Sequence, residues 1–197
     1  MLKIYDVESA KKSILKRIPP DETSVTPAML ERLAATFGEP IGPEEAVKRI
    51  LRDIRSRGDL ALREWSARLD GFPEGTPLRV PAADLDAALA ALPAPERQAL
   101  EVAASRIREF YRRQPLTSWF TNELGGTLGQ IIRPHKRVGL YVPAGTAPLP
   151  SSVLMSAIPA QVAGVREVVV VAPTQRGSGQ IAPVILAACA LVGVNEV

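Results

Sequence analysis

The sequence is poor in the residues that most often carry chemistry: one cysteine and one histidine among 197 residues, with aromatics at only 5%. A lone cysteine forbids an internal disulfide, and Cys189 sits in the apolar stretch "VILAACALVG", where a small buried hydrophobe is the expected role. A catalytic zinc generally takes three protein ligands from His, Cys, Asp or Glu, and one His with one Cys is thin material for such a site. Charge of one sign is also missing. The 24 Lys and Arg are mixed along the chain with 21 Asp and Glu, so a pI near 9.2 with few base-stacking rings argues against a nucleic-acid partner. No uninterrupted apolar run approaches the ~18 residues of a spanning helix, so no membrane partner is expected. The opening "MLKIYDVESAKKSILKRI" alternates charged and apolar residues and lacks the apolar core of a signal peptide, which makes the cytoplasm the expected location.

What is present suits a globular protein. Hydrophobic residues make up 46% of the chain, charged residues 23%, and mean hydropathy is +0.07. A chain of this length can bury a sizeable core as one large domain or two small ones. It carries no internal repeat and no low-complexity tract.

Up to residue 114 the sequence predicts helices. In "VTPAMLERLAATFGEP", Thr26 is an N-cap before Pro27 at the first helical position, and Gly38 and Pro40 close the segment. "GPEEAVKRILRDIRSRGD" follows the same grammar: Pro43 opens it, Glu44 and Glu45 lie at the positive end of the helix dipole, and Arg55 and Arg57 lie near the negative end. Its apolar residues Ala46, Val47, Ile50, Leu51 and Ile54 recur at helical spacing and predict one core-facing stripe. Further helices are expected in "DLALREWSARLDG", "AADLDAALAALP" and "APERQALEVAASRIREFYRRQP", with "FPEGTPLRVP" as a turn-rich connector. The last of these helices spaces Leu100, Ala103, Ala104, Ile107 and Phe110 on one side, leaving its arginines as a solvated face.

The pattern changes in residues 115–197. Gly125 and Gly126 lie between two extended runs, a hairpin signal, and "QIIRP" and "RVGLYV" read as further strands. From Val138 the order becomes strand, helix, strand, helix, strand, and the run "VVVV" predicts a strand in a parallel sheet covered by helices on both faces. The third strand, "VNEV", stops as it starts, so the expected architecture is α/β with a helical N-terminal region followed by an incomplete parallel sheet, part of a longer chain or a half that requires a partner.

Ligands of open α/β sheets sit beyond the carboxyl ends of the strands, and "PAGTAPLPSS" occupies that place after the first parallel strand. Gly145 permits a turn, the prolines stiffen it, and Ser151 or Ser152 is placed to cap the next helix. Tyr141 brings a ring and a hydroxyl to the strand's mouth, suited to a base or a ribose. The segment is neither a P-loop nor a G-x-G-x-x-G fingerprint, and "GSG" after Arg176 does not extend to one either. His135, in "RPHKR", reads as a polar linker residue, and Asp70 and Glu167 as caps or surface charges.

The stretch "RVGLYVPAGTAPLPSSVLMSAIPAQVAGVREVVVVAP" strongly resembles the signature region of the histidinol dehydrogenase family, with weaker similarity in "SRGDLALREWSARLDG", "RIREFYRRQ" and "GQIIRPHKRVG". The resemblance implies an NAD-dependent enzyme that oxidises L-histidinol to L-histidine through the aldehyde, with zinc binding substrate, in histidine biosynthesis. It further implies a homodimer and incomplete Rossmann-like domains similar to those of aldehyde dehydrogenases. Tyr141 matches the family's NAD-contacting tyrosine, with Pro143 and Gly145 in the same loop as cofactor-binding candidates. Ala144 stands where the family usually has a second glycine, and Tyr111 where a histidine is common. The family's catalytic residues and zinc ligands fall beyond the matching region, so no catalytic or metal residue is assigned. Residues 1–114 are then a helix-rich region and 115–197 the start of an NAD-binding domain. The chain reads as the amino-terminal portion of such an enzyme, inactive alone. A related dehydrogenase of another polar alcohol and a non-catalytic nucleotide-binding or partner subunit are the alternatives.

Overall fold

The computed structural model describes residues 3–17, 25–115, 117–144, 147–175 and 178–197, which form two compact units, residues 1–61 and 62–197. In the first unit, helix α1 (Val7–Lys12) begins at Asp6, whose carboxylate accepts from the Ser9 N–H at 2.9 Å. Helix α2 (Pro27–Phe37) starts where the sequence predicts: Thr26 Oγ1 accepts from the Met29 N–H at 3.3 Å, and Gly38 ends the helix at φ 78°. Helix α3 (Pro43–Arg57) carries i,i+4 ion pairs between Glu44 and Lys48 and between Asp53 and Arg57. Its apolar stripe is only partly covered. Ala46 is buried, Ile50 and Ile54 are half-buried, and Val47 and Leu51 are exposed.

Helix α4 (Asp59–Asp70) leads to α5 (Ala82–Ala91) and the long α6 (Ala94–Arg112). Leu100, Ala103, Ala104 and Ile107 of α6 join the core, but Phe110 is exposed, because the stripe runs past the core in the last turn, and its ring packs edge-on against Tyr111 with centroids 5.4 Å apart. Arg112 and Arg113 both pair with Glu109, as a solvated helix face does.

An antiparallel hairpin follows, β1 (Trp119–Thr121) against β2 (Leu128–Gln130), with Gly125 in its turn at φ 76°. The extended run "QIIRP" does not form a strand of its own: the Ile132 N–H is taken by the Ser118 hydroxyl at 2.9 Å instead of by a backbone ladder. Strand β3 (Arg137–Tyr141) pairs in parallel with β4 (Glu167–Val171), joined by α7 (Pro150–Val162), and α8 (Pro183–Leu191) follows β4. Val169 makes a parallel bridge to Glu196, and the Val170 N–H donates to the Glu196 carbonyl at 2.9 Å, so a third strand position begins on the far side of β4. The amino ends of these strands are tied by Arg137, which pairs with Glu167 at 2.6 Å and also with Glu196.

The core gathers Leu140, Val142, Val168 and Val170 from the strands with Val153, Leu154, Ala157 and Ile158 of α7 and Ile185, Ala188 and Cys189 of α8. Strand side chains alternate between two faces, and this set is one face. The expectation that helices cover both faces is therefore corrected. On the other face Gly139, Tyr141 and Val171 are exposed and Val169 is half-buried. A β-carbon added at Gly139 would meet nothing within 4 Å. A run of four valines reads as doubly buried, but the helices lie against only one of its sides. Among the described residues, no helix is long and apolar enough to cross a membrane.

Candidate functional site

The site is built at the carboxyl ends of β3 and β4. Tyr141 ends β3 on the uncovered face and is 69% exposed. Its parallel partner is Val171, the last residue of β4, which lies on the same face and is also exposed. The next residue turns the other way: Val142 is fully buried, and its N–H donates to the Val171 carbonyl at 2.9 Å, which holds the two strand ends together just below the mouth. Pro143 is exposed immediately beyond. The structure thus places Tyr141 and Pro143 side by side at an open edge, while Gly145 lies outside the described residues. Ala144 is half-buried, and no described residue other than glycine has a positive φ, so the alanine sits in its turn without the strain that a left-handed conformation would impose.

Helix α7 begins at Pro150 with Leu149 as its N-cap, and no side chain caps it, so the expectation that Ser151 or Ser152 does so is corrected. The reason is register. Both serines lie inside the first turn, and the Ser152 N–H donates to the Leu149 carbonyl at 3.0 Å. The helix start therefore has no internal acceptor from a side chain, an arrangement open to an anionic group.

A cleft of about 210 Å³ lies beyond the end of β4. Ser66 and Asp70 of α4, Phe72 in the following loop, and Val171, Thr174 and Ile181 line it. Two loops form its rim, and they pack closely: a β-carbon at Gly179 would lie 2.6 Å from Pro73 Cδ. The Arg63 guanidinium donates to the Thr76 carbonyl at 2.7 Å, and the Gln175 N–H to the Gln180 carbonyl at 2.8 Å, fixing each loop in turn. Sequence reasoning missed this cleft. Asp70 reads as a helix-end charge, and Thr174 and Gly179 as parts of a plain loop, until the fold brings them to one place.

The remaining candidates lie apart from the mouth. His135 is exposed on the approach to β3, and Glu167 is engaged with Arg137 at the opposite end of the strands. Cys189 is buried in α8, and burial pushes its thiol up to about 12, which keeps it protonated and unreactive.

The family model described as histidinol dehydrogenase matches residues 41–197, which contain the whole mouth. The chain belongs to the histidinol dehydrogenase family. It is 49% identical over 174 residues to a histidinol dehydrogenase of Deinococcus radiodurans, covering 88% of this chain and 39% of that protein. To a histidinol dehydrogenase of Bordetella parapertussis it is 44% identical over 187 residues, 93% of this chain and 42% of the other. The fold is similar to that of the crystal structure of histidinol dehydrogenase from Elizabethkingia anophelis, with a TM-score of 0.70 and 30% identity over 84% of this chain and 39% of that one. The chain thus spans about 40% of the length of these histidinol dehydrogenases.

Proposed function

We propose that this chain is the NAD-holding, amino-terminal portion of a histidinol dehydrogenase, the enzyme that takes L-histidinol through the aldehyde to L-histidine. The observation that carries the reading is Tyr141, exposed at the carboxyl end of a parallel strand within the family-matched region. A ring in that position stacks on or hydrogen-bonds to a nucleotide, and Pro143, exposed just beyond it, is a second contact, with Gly145 the next candidate in the sequence. The positive end of the α7 dipole, which no side chain caps, suits the negative charge of the pyrophosphate. NAD, when bound, supplies the hydride acceptor. The chain's own part is to bind and orient it.

Zinc is a different matter. Among the described residues no group of three or more His, Cys, Asp or Glu side chains is placed to hold a metal ion, so the residues do not fit that role and no step is derived through it. Substrate binding, proton transfer and any metal belong in this reading to the part of the family's length that the chain does not span. In the same reading residues 115–197 begin an incomplete Rossmann-like domain of the aldehyde dehydrogenase kind, residues 1–114 form its helical companion, and the working enzyme is a cytoplasmic homodimer.

Titration calorimetry of the purified chain with NAD tests the proposal. Saturable binding is expected, weakened about tenfold by Tyr141→Ala, the worth of one ring stacked on a base. The chain supplied with histidinol, NAD and zinc is expected to form no NADH. Absence of NAD binding, or turnover by the chain alone, overturns the assignment.

A further inference from the structure

The stretch "PLRVP", residues 77–81, reads as part of a connector, yet it meets the far side of the third strand position. Neighbouring carbonyls of an extended chain point to opposite edges. The Glu196 carbonyl faces β4, where it accepts from the Val170 N–H at 2.9 Å, so the Asn195 and Val197 carbonyls on either side of it face outward. Both are taken. The Val80 N–H donates to the Val197 carbonyl at 2.9 Å, and the Arg79 guanidinium donates to the Asn195 carbonyl at 3.4 Å. These carbonyls are the groups that an edge strand would otherwise present to another chain. Pro77 and Pro81 bracket the segment without an N–H to offer a further strand, and Arg79 adds a charge, two of the means by which sheet edges are blunted.

The same residues bear on register. Val194 and Val197 are buried while Asn195 is exposed, so a slip of one position would turn polar side chains toward the core. The Glu196 carboxylate is held by two arginines, Arg137 of β3 on one side and Arg79, at 3.9 Å, on the other. Val80 packs against the core, and α5, whose Leu85 is buried there, starts directly after Pro81, so the segment is anchored where it meets the strand. Exposed ion pairs contribute little to stability, and their effect here is on position.

We propose that Arg79 and Val80 form a strap that closes the outer edge of the sheet and locks the third strand position in register, with Arg79 and Arg137 as a two-sided clamp on Glu196. The edge that the sequence pattern leaves open is thus closed from within the chain, and pairing with another chain is shut out on this side. The strap acts whether or not a cofactor is bound.

Native-state amide hydrogen exchange of the whole chain, followed by NMR, tests the strap. The Val80 amide is expected to exchange at least about tenfold more slowly than in an unstructured peptide, and the Val170 amide more slowly still. Arg79→Ala combined with Glu196→Gln should speed exchange at Val80 and Val170 by about tenfold, the effect of losing one hydrogen bond and the clamp, while amides within α7 keep their protection. Val80→Pro removes the donor to Val197, and its mass by sedimentation equilibrium should exceed that of the wild type at equal concentration. Where Val80→Pro fails to fold by circular dichroism, the Arg79 and Glu196 variant decides alone. A Val80 amide that exchanges at the unstructured rate, or Val170 exchange unaltered in that variant, overturns the strap. A folded Val80→Pro chain that associates no more than the wild type overturns the closing of the edge.

Discussion

Gly179 shows how a single backbone position can let two segments pack closely. Its φ of +66° is one that L side chains rarely adopt, and a β-carbon there would lie 2.6 Å from Pro73 Cδ and 3.0 Å from Pro73 Cγ. Both objections act together, so Gly179→Ala is expected to destabilise the chain by about 1–3 kcal/mol, read as a lower melting temperature. Cys189 makes an opposite case, a reactive group made inert by its surroundings. Burial raises its thiol from 9.0 to about 12. The folded state therefore keeps a proton that the unfolded chain releases, and the sign follows: this contribution is fully present below pH 9.0 and is lost as pH rises toward about 12. Denaturant melts between these limits should show stability falling more steeply for the wild type than for Cys189→Ala. Thiol reagents should label Cys189 only as the protein unfolds.

Helices α7 and α8 form the main body of the core. Val153, Leu154, Ala157 and Ile158 of α7 are almost completely buried against α8 and the strands, so Ile158→Ala removes packed methylenes from a site with little room to relax. A loss of about 2–5 kcal/mol in denaturant unfolding is expected. These elements differ in how far the sequence reveals them. The ends of α2 and α3 are legible because capping is local: Thr26, Pro27 and Gly38 act within a turn of themselves. Coverage is not local. "VVVV" states that a strand is apolar but cannot state how many of its faces meet helices, and the exposure of Val171 appears only once the two sheet faces are seen. Phe110 has the right spacing for the α6 stripe and lies beyond the core's reach, a matter of length and not of period. Tyr141 is legible as a candidate from its position at the end of a strand, whereas the cleft draws on Asp70 and Thr174, more than a hundred residues apart, and no short pattern joins them.

For the whole molecule, the informative feature is apolar surface left open. Between Phe110 and Ile131 the residues Phe110, Trp119, Phe120, Leu124, Leu128 and Ile131 are all exposed. A two-stranded hairpin is marginal in water unless a third strand or a packed face supports it, and among the described residues β1 and β2 pair only with each other. Open strand edges flanked by apolar side chains favour association, which agrees with the proposed homodimer. Sedimentation equilibrium of the 21.1 kDa chain should accordingly show a mass above the monomer that rises with concentration. Leu124 and Ile131 are 72% and 57% exposed, so Leu124→Ser with Ile131→Thr should shift the chain toward monomer while leaving its melting temperature nearly unchanged. A double variant that associates as strongly as the wild type places the contact elsewhere, and the exposed stripe of α3, with Val47 and Leu51, is then the surface to change next.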